Sequence, residues 1–123
     1  MAKRTKKATK DLIQEFGEIV KAVRDEAIRM ADAKATKKSR IAERWRQLDQ
    51  ETIASVIPDI VDETLFVLLN AIDGEELALR FRSASGVEVD LIADGGHELA
   101  GWYYGDWREK SAERWNPVLP DDF

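Results

Sequence analysis

The spacing of the apolar residues changes near residue 76, and this change restricts the folds that the chain can adopt. Before it, apolar residues recur every three or four positions, which is typical of amphipathic helices. After it, Leu77, Leu79 and Phe81 alternate with more polar positions, which indicates a strand. A chain of 123 residues has the size of one domain. The sequence therefore predicts a single α+β domain over residues 10–123, preceded by a basic, disordered tail at residues 1–9.

Two or three amphipathic helices are predicted in the first half of the chain. The first runs from Lys10 or Asp11 to about Ala33. The second begins at Ser39, a residue that can cap a helix, and runs to Val56. Pro58 is expected to end this helix and to open a third, because proline is favoured in a first helical turn. The predicted buried faces are Leu12, Phe16, Ile19, Val20, Val23, Ala27 and Met30; then Ile41, Trp45, Leu48, Thr52, Ile53 and Val56; then Ile60, Val61, Leu65, Leu68, Leu69 and Ile72.

A β-hairpin is predicted over about 76–82 and 87–93. The loop between its strands contains Gly86, which can take the left-handed conformation that a three-residue hairpin loop requires. One face of the hairpin is then apolar and the other carries opposite charges. The predicted register is Phe81 opposite Val89, Leu79 opposite Leu91, Arg82 opposite Glu88, and Arg80 opposite Asp90.

The segment after Gly96 is rich in aromatic residues and allows two interpretations. Residues 97–104 form either a short helix, which we favour, or a third strand of the sheet. Asp106 and Glu109 have the spacing of a capping box for a last helix through Trp115. Two adjacent tyrosines cannot both face inward, so this short aromatic-rich helical region is expected to expose rings that anchor a partner. The predicted partner-binding residues are Tyr103, Tyr104, Asp106, Trp107, Trp115, Asp94 and Glu98.

Enzyme motifs are missing from the sequence. It contains no phosphate-binding glycine loop, no nucleophile elbow and no H-E-x-x-H zinc motif. Cysteine is absent, which excludes thiolate metal sites and cysteine nucleophiles. His97 is the one histidine, so any metal site or serine triad would depend on it. We therefore expect a non-enzymatic protein without metal or cofactor.

Charge is divided unevenly along the chain. Residues 1–50 hold 14 basic and 8 acidic groups, a net of +6, whereas residues 51–123 hold 5 basic and 16 acidic groups, a net of −11. Such a division bears on partners rather than on fold. The acidic, aromatic second half is expected to dock a basic protein partner. The alternative is a nucleic-acid-associated accessory protein that uses the basic tail and helices, with Lys3, Arg4, Lys6, Lys7 and Lys10 as contacts.

Other features of the sequence bear on assembly and location. The amphipathic helices carry more apolar surface than a small domain can cover, which suggests a homodimer. The longest apolar run, around residues 65–69, is much too short to span a bilayer. No secretory signal precedes the first helix, so a cytoplasmic location and no membrane contact are expected.

Segments 62–74, 98–105 and 107–114 resemble stretches of small, uncharacterised bacterial proteins. Some proteins of that kind are regarded as immunity partners of toxins. The resemblance covers residues 58–115 and includes no catalytic signature. It implies a binding protein of the immunity or antitoxin type, with a toxin as the basic partner.

Overall fold

The computed structural model describes residues 5–34, 43–44 and 47–117 and has the predicted α+β architecture. Two long helices come first, followed by a two-stranded antiparallel hairpin and a short helical region. That region runs from α3 into one π-helical turn and one 3-10 turn. The elements are α1 (Lys6–Lys34), α2 (Gln50–Asp73), β1 (Arg80–Arg82), β2 (Glu88–Asp90), α3 (Leu99–Trp102), the π-helical turn (Tyr103–Trp107) and the 3-10 turn (Arg108–Lys110).

Helix α1 begins earlier than the sequence predicts. The hydroxyl of Thr5 accepts a hydrogen bond from the amide of Ala8 at 3.0 Å, which caps the first turn. Residues 6–9, which the sequence assigns to a tail, are therefore helical. Lys3 and Arg4 lie outside the described residues.

Helix α2 corrects the prediction that Pro58 separates two helices. A single helix runs through Pro58. Proline lacks an amide hydrogen, so the carbonyl of Ala54 loses its usual helical donor. The guanidinium of Arg114 supplies that donor instead, with Nε at 3.0 Å and Nη2 at 2.9 Å from the Ala54 oxygen. The predicted helix start at Ser39 lies outside the described residues, and the observed cap of α2 is Asp49.

The hairpin has the predicted register but shorter strands. Phe81 lies opposite Val89, and Gly86 has a φ of +87°, as the predicted loop requires. The second strand ends at Asp90 because its carboxylate accepts the amide of Ile92 at 2.9 Å and turns the chain. Leu91 still follows the register, since its amide donates to the carbonyl of Leu79 at 3.1 Å.

Helices α1 and α2 pack antiparallel and are covered mainly on one side. Ile28 of α1 packs near the beginning of α2, at Ile53 and Ile57, whereas Arg24 reaches Asp62 further along it. The main core joins both helices to the hairpin and the short helical region. Several residues predicted to lie on buried helix faces are instead exposed, because no described element covers them: Ile19, Val23, Met30, Val56, Ile60 and Leu68. Leu48, also predicted to be buried, is exposed in the turn before α2. None of the helices in the described part of the chain is apolar over a stretch long enough to cross a bilayer.

Candidate functional site

The favoured helix after Gly96 forms, and the carboxylate of Asp73 fixes its start. This carboxylate accepts the amides of Leu99 at 3.0 Å and Ala100 at 2.9 Å, so the end of α2 caps α3. His97 adopts a positive φ of 59°, and its Nδ1 lies against the main-chain oxygen of Asp73. Within the described residues, no group of three His, Asp or Glu side chains could hold a metal ion. The contacts of His97 indicate that it stabilises the turn before α3.

Tyr103 and Trp107 belong to the core, which corrects their assignment to a partner-binding surface. Tyr103 is 0% exposed and Trp107 1% exposed. The indole Nε1 of Trp107 donates to Gln14 at 3.1 Å, and the ring packs edge-on against Phe16. Gly17 makes this close packing possible, because a Cβ there would overlap the Trp107 ring. Both rings anchor the π-helical turn to the long helices.

The rings of Tyr104 and Trp115 pack against the buried guanidinium group of Arg108. The guanidinium carbon of Arg108 lies 4.6 Å from the Tyr104 ring centroid and 5.0 Å from that of Trp115. Tyr104 is half-buried and also packs against Phe66. Trp115 is 37% exposed, so only its outer part could contact a partner.

The predicted last helix ends at Lys110 and does not reach Trp115, because α1 binds the backbone of the residues that follow. The carboxylate of Asp25 accepts the amides of Ala112 and Glu113 at 2.9 and 3.0 Å. Arg24 donates to the carbonyls of Glu113 and Arg114 at 3.1 and 2.7 Å. Residues 111–117, which we call the C-terminal segment, therefore lie in non-helical conformation against α1 and α2.

A buried ionic cluster holds the π-helical turn in place. The carboxylate of Asp62 accepts from Arg24 Nε at 2.7 Å, from the Tyr103 hydroxyl at 2.6 Å and from Arg108 Nη1 at 3.4 Å. Burial lowers the pKa of Arg24, but its hydrogen bond and ion pair with Asp62 outweigh burial and raise the pKa overall. Burial, reinforced by the bond to Asp62, raises the pKa of Tyr103. These groups are therefore fixed in position and not available for exchange with a ligand.

Two neighbouring depressions flank the half-buried ring of Trp102. The acidic depression, of about 360 Å³, is lined by Glu98, Gly101, Trp102, Gly105 and Asp106. A Cβ at either glycine would meet no atom within 4 Å, so the space beside the ring is open. The mixed-charge depression, of about 430 Å³, is lined by Trp102 and Glu98 together with residues of α1 and of the 93–96 turn: Lys6, Thr9, Lys10, Ile13, Gln14, Ala93, Asp94, Gly95 and Gly96.

The three predicted acidic site residues come together around these depressions. The carboxylate of Asp94 accepts the amide of Asp90 at 2.9 Å, and that of Asp106 pairs with Lys110. The hydrogen bond with Asp106 raises the pKa of Lys110. Glu98 is exposed, and its side chain makes no hydrogen bond or ion pair with the residues that the structure describes. Glu98 is thus the carboxylate of the three that is ready for an external cation.

The sequence did not predict that Trp102 and Lys10 lie together at these depressions. The ammonium of Lys10 lies 5.6 Å from the Trp102 ring centroid, within the range of a cation–π contact. Lys10 was assigned to the nucleic-acid alternative, together with Lys6 and Lys7, which lie in the first turn of α1. Lys6 and Lys10 line the mixed-charge depression together with Asp94 and Glu98. The aromatic-rich sequence of residues 102–107 was the available signal for Trp102.

Comparison of the chain with protein-family models, with curated proteins and with solved structures finds no match.

Proposed function

We propose that this chain is a non-enzymatic protein-binding module that docks a basic protein partner at the acidic depression. The observation that carries this proposal is the exposed carboxylate of Glu98, which binds no other residue that the structure describes and lines the depression together with Trp102. A guanidinium or ammonium group of the partner would stack on the indole ring and pair with Glu98. Asp106 also lines the depression, but its carboxylate is already paired with Lys110, so Glu98 supplies the charge that a partner would meet.

The contact between Lys10 and Trp102 supports this recognition mode. It places a cation of the chain itself over the indole ring, at 5.6 Å from the centroid. An arginine from a partner would make a stronger contact of the same type, because the planar guanidinium stacks on aromatic rings and bonds a carboxylate with two N–H groups. The ring and Glu98 together therefore favour arginine over lysine.

Long-range charge would assist the encounter. The chain carries a formal net charge of −5, and this negative charge attracts a basic partner from a distance. Binding by such a module would cover the basic surface of the partner and block its contacts with other molecules. Neutralisation of a toxin, as an immunity or antitoxin protein performs it, belongs to this class of function.

A hexa-arginine peptide provides the test. Titrated into the isotope-labelled protein, it is expected to shift the NMR signals of the Trp102 indole N–H and of the Glu98 amide. Glu98→Gln removes the negative charge that the proposal requires. Gly101→Leu places a side chain in the depression, from a position where a Cβ meets no atom within 4 Å. Each variant should weaken binding at least five-fold, since ~1 kcal/mol is a factor of about five. Glu51→Gln, which removes the same charge from an exposed position at the start of α2, is the matched control.

Equal binding by wild type, Glu98→Gln and Gly101→Leu would contradict the proposal. A uridine oligonucleotide titrated in parallel tests the alternative. If it binds, and substitution of Lys6 and Lys10 by glutamine abolishes that binding, the nucleic-acid function would replace the one proposed here.

A further inference from the structure

A second surface of the molecule, distant in sequence from the acidic depression, is apolar and uncovered. Helix α1 exposes one row of apolar side chains and helix α2 exposes another, and each side chain is between 39% and 62% exposed. Both rows have the same spacing, with steps of four and then seven residues, which keeps each on one face of its helix. The rows are Ile19, Val23 and Met30 in α1, and Val56, Ile60 and Val67 in α2.

The two rows lie on the same side of the helix pair. At about 100° per residue, the α1 row lies roughly 140° around the helix from Arg24 and Ile28, which face α2. The α2 row lies roughly 100° around its helix, in the same sense, from Ile57 and Val61, which face α1. In antiparallel helices, turns of the same sense lead to the same side of the pair. The rows therefore border one apolar groove along the α1–α2 seam.

The size of this groove fits one helix of a partner. Each row extends over about 16 Å, which is three helical turns. The α2 side contains a depression of about 400 Å³ lined by Val56, Asp59, Ile60, Glu63 and Thr64. An amphipathic helix with apolar residues one turn apart can lay its apolar face into a groove of this kind.

The charges that border the groove indicate which helix it accepts. Helix α2 carries five carboxylates and no lysine or arginine, and Asp59 and Glu63 stand at the edge of the depression. On α1, the basic Arg29 is already paired with Glu26 at 3.0 Å. The same face of a second copy would bring Asp59 and Glu63 again, and the Arg29 of that copy is likewise paired with Glu26. We propose that the groove binds an amphipathic helix of another protein, with lysine or arginine residues flanking its apolar row.

This inference uses residues that the acidic depression does not contain, so the two can fail separately. The probe is a leucine–lysine amphipathic peptide of about 18 residues, long enough to form a helix when it binds. A leucine–glutamate peptide with the same apolar row is the control ligand. The full chain is expected to bind the lysine peptide at least ten-fold more tightly than the glutamate peptide in calorimetry.

The variant Val23→Gln/Ile60→Gln removes apolar surface from both rows without changing charge. It should weaken binding of the lysine peptide at least ten-fold and leave hexa-arginine binding at Glu98 unchanged. Val87→Gln, at a valine of the hairpin that is 41% exposed, is the matched control and should bind as wild type does. Circular dichroism of all three proteins verifies that the fold is kept.

Three results would overturn the inference. The double variant could bind the lysine peptide as tightly as wild type, or Glu98→Gln alone could abolish that binding. The wild type could also sediment as a dimer that the double variant converts to a monomer, in which case a second copy of the chain occupies the groove.

Discussion

Replacing Asp62 by asparagine is expected to destabilise the protein strongly, because it removes the negative charge from the buried cluster. The side chain of Asp62 is 3% exposed, and those of its partners Arg24 and Arg108 are 0% and 4% exposed. Without the carboxylate, the hydrogen-bond acceptors that the structure describes for the two buried guanidinium groups are main-chain oxygens and Ser111. Arg24 keeps one ion pair, with Asp25 at 3.6 Å. Tyr103 loses the carboxylate as a hydrogen-bond acceptor as well.

The expected cost follows from these contacts. Breaking a buried ion pair by removing one partner costs about 3–5 kcal/mol. For a chain of this length, such a loss lowers the melting temperature by roughly 10–20 °C. Asp32→Asn is the matched control, because Asp32 also binds an arginine, Arg114, but both side chains are 40% exposed. An exposed pair contributes about 1 kcal/mol or less.

Urea denaturation followed by circular dichroism measures both variants. The free energy of unfolding of Asp62→Asn should fall at least 2 kcal/mol further below wild type than that of Asp32→Asn, as the ~3–5 and ~1 kcal/mol figures require. Equal losses in the two variants would refute the argument that the buried cluster holds the π-helical turn in place.

Three further predictions concern single positions. Burial and hydrogen bonding raise the pKa of Tyr103 above its ordinary value of 10.0, so stability should fall as pH rises above about 10, by up to ~1.4 kcal/mol per pH unit, and less steeply in Tyr103→Phe. In urea denaturation, Gly17→Ala should cost about 1–3 kcal/mol through overlap with an indole ring, whereas Gly101→Ala should be neutral or stabilise by up to ~1 kcal/mol. Arg114→Ala should cost about 0.5–1.5 kcal/mol less in the background Pro58→Ala, because alanine restores the helical N–H that Arg114 replaces.

The sign of the Tyr103 effect follows from proton linkage. Above pH 10 the unfolded chain loses the phenolic proton while the folded chain retains it, so ionisation favours unfolding. Tyr104, whose pKa is raised by burial and by the charge of Glu63, acts in the same direction and remains in the Tyr103→Phe variant. An unchanged pH slope in that variant would contradict the assignment to Tyr103. Equal losses of stability in Gly17→Ala and Gly101→Ala would contradict the second prediction. The third would be contradicted if the stability changes of Arg114→Ala and Pro58→Ala were additive in the double variant.

Local patterns in the sequence determined the hairpin and the existence of the helices. The register of Phe81 opposite Val89 and the left-handed Gly86 follow from alternation and loop length, which involve only neighbouring residues. The short helix after Gly96 is also predicted from the pattern of neighbouring residues, as the favoured of two interpretations. At the site, the sequence names Asp94, Glu98 and Asp106 as partner contacts, which remains a prediction. The structure adds that all three line depressions beside Trp102.

Only the tertiary structure decided which faces are covered and which charges are buried. Periodicity shows that Val23 and Ile60 lie on apolar faces, but another element must pack on a face to bury it, and none of those described does so here. Pro58 ends a helix in isolation, yet here Arg114 takes over the missing donor. Arg24 and Asp62 are ordinary surface residues by sequence, 38 positions apart, and they become buried because each neutralises the other. Such compensation depends on contacts between distant parts of the chain, and local sequence patterns carry no information about them.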